Sequence, residues 1–522
     1  MQNRLSGFSS AVLKNILLWM DGSLFFRFLS GMFNFIGKVA SGSFILGLFL
    51  AKETKNEPGI FEKLLDRILN NKFKPFVLPE SWPKFLADLF SKSFVISRFC
   101  DALNTPLPKP GKSGFYDVFM WAMYAFPAWG LVMVVALTPV LPTMTIAMLL
   151  AVIVVFTFLS RKLETGRFTV VLFLFMFVNF FAAFTSFTVR ESIEIAILVS
   201  VFISVSILVP VFANKREAIG LCIAAFLCGA ALAGLVGLYQ YLAGYTAGAW
   251  IDEVLQAYIT FRVFSTFENA NMYGIYLLLA IPMAMLGVVY FARPWAKMLC
   301  AALSLLLVIN LFVTYSRGSY VALAFIIGVV VFLMEKRFVV LFLPALAASF
   351  FVLPQSVVVR IQSIINFQDT STVFRLNIWE GTIRTIRDFW ITGIGQGSEA
   401  FTLVYSFYAL AATQIAHSHN LFFQIALELG VVGLLVFIAL LSCYFRVMAN
   451  FYVKAKCIKN KFMAAIFIAT PMGIMLQGLF DHVFFNYRVL LSFFIFLGIG
   501  IAGSRVLAER VENCDADTPC DF

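Results

Sequence analysis

Residues 195–213 read IAILVSVFISVSILVPVFA, nineteen positions without one charged side chain. At 1.5 Å per residue a helix of this length is close to the thickness of a bilayer's hydrocarbon core. The same reading repeats along the chain. From residue 117 there are twelve apolar spans, at about 117–137, 142–160, 168–188, 195–213, 218–240, 272–292, 297–315, 319–334, 338–353, 421–445, 462–480 and 488–503. The expected fold is therefore an all-α polytopic membrane protein of about twelve transmembrane helices.

Composition agrees. Hydrophobic residues make up 61 % of the 522 and charged residues 13 %, with a mean hydropathy of +0.91. That much apolar surface does not fit inside water-soluble domains of ordinary size. A net charge of +11 would point to nucleic acid on a soluble protein. Here basic residues are expected on the cytoplasmic side of the membrane, and no nucleic-acid partner is expected.

Residues 1–116 differ from the rest. They hold 15 of the 39 basic residues among short apolar clusters, and the best span candidate, 28–51, is broken by Lys38. Amphipathic helices on the inner membrane surface are expected there, with Pro106, Pro108, Pro110 and Gly111 marking a linker into the membrane domain of 117–503. The apolar stretch at 11–20 carries Lys14, is followed by Asp21 and lacks a small-residue cleavage site, so it does not read as a secretory signal. Residues 504–522 form a tail, in which Asp515-Ala-Asp517 has metal-motif spacing but lies on the side opposite the candidate site.

Orientation follows from the loops. With the N-terminus inside, the inner loops after residue 117 hold 16 Lys and Arg and the outer ones 8, spread over more residues. Both termini then fall in the cytoplasm. All eight cysteines lie in spans or on the inner side, where no exported disulfide forms.

The three histidines, His417, His419 and His482, then share the outer side with two long loops, about 241–271 and 354–420. The sharpest segment is His417-Ser-His419-Asn420-Leu-Phe-Phe-Gln424-Ile-Ala-Leu-Glu428-Leu-Gly430-Val-Val-Gly433, which opens a span directly from the long loop. His419 and Asn420 stand at the helix mouth, where an imidazole is suited to proton transfer. Gly430, eleven residues on, is expected to return to the same helix face, and Gly430 and Gly433 to permit close helix packing. The plain alternative is a capped helix with two interfacial histidines.

His419-Asn420, nine residues and Gly430-Val-Val-Gly433 resemble the signature of the O-antigen ligase and polymerase superfamily. So do, in order, Arg262-Val-Phe-Ser-Thr-Phe-Glu-Asn269-Ala-Asn271-Met-Tyr-Gly274, Tyr315-Ser316-Arg317-Gly-Ser, Arg375-Leu-Asn-Ile-Trp379 and Gly393-Ile-Gly395-Gln-Gly397. The resemblance covers about residues 118–503. It implies a glycosyltransferase that ligates or polymerises glycans carried on undecaprenyl pyrophosphate at the outer face of the bacterial cytoplasmic membrane. It also implies partners: the lipid-linked donor, a hydroxyl acceptor on a glycan, lipid or protein, membrane lipids and polysaccharide-assembly proteins.

Under that resemblance His419 is the candidate base, and Arg262 and Arg317 the candidate holders of the leaving pyrophosphate, because an arginine offers phosphate a two-pronged donor. Their alternative is snorkelling to headgroups. Arg375, His417, Asn420, Asn269, Asn271, Ser316 and Arg488 are candidate substrate-binding residues. Arg375 opens an expected interfacial helix with Trp379, Ile383, Ile386 and Trp390 on one side; Arg384 and Arg387 read as solvent contacts. Arg488, with Asp481, His482 and Asn486, forms a second constellation that reads equally well as a structural cap. No cofactor is expected. No metal is expected either, since no further His, Asp or Glu of known ligand spacing accompanies His417 and His419, and the G-x-G-x-G run lacks a dinucleotide context. A secondary transporter of glycan or lipid-linked intermediates is the competing reading, kept by Gln424 and Glu428 inside a span.

Overall fold

The computed structural model describes residues 13–14, 50–51, 115–160, 163–164, 166–244, 261–338, 344, 355–362, 370–410 and 415–513. Apart from Leu13, Lys14, Leu50, Ala51, Phe115 and Tyr116, the N-terminal region lies outside the described residues, as do the loop at 245–260, nearly all of the expected span at 338–353, and Asp515 and Asp517.

The fold is all-helical. Among the described residues there are fourteen α-helices: α1 Phe115–Leu137, α2 Thr143–Ser160, α3 Arg167–Phe184, α4 Val189–Phe212, α5 Arg216–Leu242, α6 Ala270–Tyr290, α7 Pro294–Val313, α8 Arg317–Met334, α9 Gln355–Gln362, α10 Thr370–Asp388, α11 Ser398–Tyr405, α12 Leu421–Lys454, α13 Ile458–Gly478 and α14 Tyr487–Asn513. A two-residue parallel pairing of Leu50–Ala51 with Leu163–Glu164 is the only strand contact among them. Nine helices, α3 to α8 and α12 to α14, are long and apolar enough to cross a membrane, and α1 and α2 contain shorter apolar stretches. Eleven of the twelve expected spans therefore appear as helices.

Helices start where chain chemistry directs. Asn269 caps α6 by accepting from Asn271 N and Met272 N, and Asn420 caps α12 by accepting from Phe422 N and Phe423 N. Pro294 stands at the start of α7, where its missing N–H is not needed. Packing then sorts inner helices from outer ones. α6 and α14 are buried along most of their apolar length, whereas little of α7 is buried. α4 packs on α14, α6 on α7, α8 on α13 and α3 on α12. In lipid this association rests on close contact and interhelical hydrogen bonds. Asn310 of α7 supplies such bonds, accepting from Tyr273 Oη at 3.0 Å and donating to Gly234 O at 3.2 Å. The exposed side chains of α2 and α7, such as Met144, Met148, Met298 and Leu305, are large and apolar, as a lipid-facing surface requires. The five described cysteines, Cys222, Cys228, Cys300, Cys443 and Cys457, are free thiols.

One expectation is corrected. α12 is not continuous: Gly430 sits at φ 69°, ψ 178°, outside the helical region. The eleven-residue spacing from His419 is therefore not that of one continuous helix, and the close approach at Gly430 is to the backbone of Trp390 and Ile391. The break is stitched by the Gly393–Gly395 turn. Ile394 N donates to Leu427 O at 2.8 Å, Gly395 N to Glu428 O at 3.2 Å, and Val431 N to Trp390 O at 2.8 Å. Backbone groups freed by a break inside a membrane helix need such partners. Two glycines pass back to back here. A Cβ on Gly393 would lie 2.3 Å from Glu428 O, and one on Gly430 2.2 Å from Ile391 O.

Candidate active site

Three turns meet at one end of the bundle, and every positive-φ residue other than glycine among the described residues lies in them: Ser265 and Glu268 before α6, Tyr315 before α8, and His419 before α12. Left-handed backbone at non-glycine residues is costly and persists where the surroundings impose it.

The first turn is held by Gln240 of α5. Its Oε1 accepts from Ser265 N at 2.7 Å and Phe264 N at 3.2 Å, and its Nε2 donates to Ser265 O at 2.9 Å. This aims Arg262 across to the second turn. Its Nε donates to Thr314 O at 2.8 Å and its Nη2 to Asn271 Oδ1 at 2.7 Å. Arg360 of α9 donates from Nε to the next carbonyl, Tyr315 O, at 3.1 Å. Two guanidinium groups thus grip successive carbonyls just past the end of α7, beside the N-terminus of α8, whose first residue is Arg317. No side chain caps that helix start, and a helix N-terminus next to arginines is a natural anion site.

The third turn carries the histidines. Ser418 is fully buried, its N donating to Gln424 Oε1 at 2.8 Å and its Oγ to Asn420 O at 2.9 Å. Asn420 Nδ2 donates to Leu479 O at 2.9 Å, tying the mouth of α12 to the end of α13. His419 N donates to His417 Nδ1 at 3.2 Å, and His419 Nδ1 lies 3.3 Å from Asp481 Oδ1. With Nδ1 engaged by the carboxylate, Nε2 of His419 is the nitrogen left for substrate. Asp481 also accepts from His482 N at 2.9 Å. The ring of His417 lies 4.1 Å from that of His419 and 5.6 Å from that of His482, so all three histidines of the chain form one cluster. Phe374 of α10 approaches His419 at 6.3 Å.

Electrostatics bind the turns together. Burial, with a smaller push from His419, brings His417 down to about 4, so it is neutral at physiological pH. Burial and His417 hold His482 well below the usual histidine range. Burial alone would raise the carboxyl of Asp481, but the His419 bond and the charges of His419, Arg375 and His417 outweigh it and hold the group below the usual carboxylate range. Arg262 is pushed down to about 10, first by burial and then by Arg317 and Arg375, with Tyr320 and Asp481 acting in the opposite sense. Arg262, Arg317, Arg375, His417, His419 and Asp481 are therefore one electrostatic neighbourhood.

The remaining expected residues have structural duties. Asn269 and Asn420 spend their side chains on helix starts, and Ser316 Oγ pairs with Ser319 Oγ at 2.9 Å. Asn271 orients Arg262. Arg488 is apart from the histidines, with Nη2 3.4 Å from Glu268 Oε1 and its guanidinium 5.6 Å from the centre of the Phe267 ring, so it braces the first turn. α10 buries Ile378, Thr382 and Thr385, while Ile383 and Trp390 are exposed and Arg384 pairs with Glu380 at 2.6 Å. Two residues escaped the sequence reading of this cluster. Arg360 gave no local signal, and Asp481 had been grouped with Arg488 although its partner is 62 residues upstream. Asp481 also supplies what the metal reading lacked: ligand atoms of His417, His419 and Asp481 lie within 4.8 Å of one another.

Fold and site together define a polytopic membrane protein with arginines gathered beside a histidine–aspartate pair at one end of its helices. Residues 302–438 match the family model described as O-antigen ligase, which supports a membrane glycosyltransferase role of O-antigen ligase type in general terms. The matched stretch includes Arg317, Arg360, Arg375, His417 and His419; Arg262 precedes it and Asp481 follows it. No curated protein matches the chain significantly.

Proposed function

We propose that this protein transfers a glycan from undecaprenyl pyrophosphate to a hydroxyl acceptor at the outer face of the bacterial cytoplasmic membrane, as a ligase or polymerase in cell-surface polysaccharide assembly. The observation that carries the reading is the convergence of Arg262, Arg317 and Arg375 on the His419–Asp481 pair. The 16-to-8 split of basic residues supports the orientation, with both termini, residues 1–116 and the tail from 504 in the cytoplasm.

In the reaction the acceptor oxygen attacks C1 of the donor's first sugar as the bond from C1 to the pyrophosphate oxygen breaks. The acceptor proton passes to His419 Nε2. Asp481, ionised and hydrogen-bonded to Nδ1, holds the ring in that tautomer and stabilises the imidazolium that forms. The electron pair of the broken bond stays on the pyrophosphate, where arginine donors offset the developing charge. Arg262, already fixed by Thr314 O and Asn271, needs no reorganisation to do so. His417, neutral and with Nδ1 occupied by His419 N, positions the turn instead of taking the proton. The reaction so written uses no metal ion and no cofactor.

The test is His419→Gln. A hydroxyl acceptor is a poor nucleophile without a base, so transfer should fall by about 10²–10⁴-fold while lipid-linked donor accumulates. A fully active, normally inserted His419→Gln would sink the base assignment.

A further inference from the structure

A cavity of about 400 Å³ lies between α2, α3, α4, α12 and α14, with His417 in its wall. His417 and His482 belong to its wall as well as to the histidine cluster. Arg262, Arg317 and Arg375 do not line it, and neither does any other described Lys or Arg. Its polar lining includes three carboxyl groups, Glu191, Glu194 and Glu428. Glu428 Oε1 takes Gln424 Nε2 at 2.9 Å and Gly397 N at 3.4 Å; Glu191 takes Glu399 N at 3.1 and 3.3 Å. Gln396 is 2 % exposed, its Nε2 given to Asn179 Oδ1 at 2.7 Å, and its Oε1 is buried in the protein with no partner. The buried Nδ1 of His482 is likewise without one. Deeper down the wall becomes apolar, with Phe175, Phe437 and Phe494.

We propose that this cavity is the acceptor subsite and receives the terminal sugar of an acceptor glycan; the proposal rests on the transfer reading given above. The lining disfavours the donor's pyrophosphate, because Glu191, Glu194 and Glu428 belong to it and no described Lys or Arg does; Arg190, which pairs with Glu194 at 3.2 Å, stands outside the lining. A neutral, hydroxyl-rich ring fits. One O–H group donates to Gln396 Oε1, whose lack of a partner is costly while buried, another to Glu428, and its C–H faces lie against Phe175, Phe437 and Phe494. The volume is at the small end of ligand sites, which suits a chain terminus. Geometry agrees as well. His417 belongs both to the cavity wall and to the histidine cluster, its ring 4.1 Å from that of His419, so a sugar held there is next to the His419–Asp481 pair.

The test uses the full-length protein in nanodiscs, with lipid-linked donor purified from a deletion strain and the glycan-bearing envelope fraction of the same strain as the acceptor probe. Ile195→Trp fills the cavity from α4, and Glu428→Gln replaces the carboxyl by an amide of the same shape. Each should raise KM for the acceptor by about tenfold, the effect of roughly one lost hydrogen bond, and should change KM for the donor by less than about twofold. Equal shifts for donor and acceptor, or no shift in either variant, would overturn the subsite. If the wild-type protein released no undecaprenyl pyrophosphate with both substrates present, the transfer reading would fail and the subsite with it. Transfer by wild type with unchanged acceptor KM in both variants would remove the subsite alone.

Discussion

Gly430→Ala should disable the protein from a position that touches no substrate. At φ 69°, ψ 178° the backbone is in a region essentially reserved for glycine, and forcing a side chain there costs about 1–3 kcal/mol. The new Cβ would meet Ile391 O at 2.2 Å, so the turn at 390–395 must move away. That movement strains three backbone bonds, at 2.8, 3.2 and 2.8 Å, each worth about 0.5–1.5 kcal/mol. Losing two of them brings the total to about 2–6 kcal/mol. The matched control is Gly503→Ala in α14, where a Cβ meets nothing within 4 Å and helix propensity improves by about 0.5–1 kcal/mol. Thermal melts of both variants in one detergent, with donor turnover measured alongside, provide the assay. Gly430→Ala should melt several degrees below wild type and Gly503→Ala at or above it. If Gly430→Ala melted with wild type and kept full activity, the stitched break would not be the constraint described.

Asp481→Asn should lower transfer by about 10²–10⁴-fold with little loss of fold, since an amide cannot both hold His419 Nδ1–H and balance an imidazolium; steady-state rates with donor saturating would show it. Acid should destabilise the protein through His417. Its folded value of about 4 lies below its ordinary 6.5, so between those values the unfolded chain binds the proton and the folded site does not. Stability should fall by up to about 3 kcal/mol as pH drops from about 6.5 to about 4, and melts of His417→Asn across that range should show a shallower slope. Arg317→Lys keeps a charge but loses the fork, so turnover should drop strongly, with Arg317→Ala lower still; wild-type output from folded alanine variants of both Arg317 and Arg262 would remove the leaving-group role.

Helix positions were legible because a membrane span needs no partner to be recognised: the run at 195–213 announces its own length. Caps such as Asn420 were legible as residue types, though not that Asn420 is fully occupied by the helix start and Leu479 O. What local spacing could not carry is contact across the chain. An eleven-residue interval places Gly430 on the His419 face only if the helix runs through, and what interrupts it is a turn 37 residues upstream. Asp481 looked like a neighbour of Arg488 because they are seven apart, yet the turn before α14 sends the carboxylate to His419 and leaves Arg488 on Glu268 and Phe267. Arg262 and Arg317 could be assigned individually, but their shared field with Arg375 required the folded turns.

The bond from Ile394 N to Leu427 O closes the base of the excursion that carries α11 and both His417 and His419. A loop shut at its base is insulated from its own length, because each doubling costs only about 0.6 kcal/mol of closure entropy. An insertion after Leu410 is therefore expected to leave the register of the histidines in place, whereas exchange of Tyr408 is not neutral, since its Oη donates to Asp388 Oδ2 at 2.6 Å.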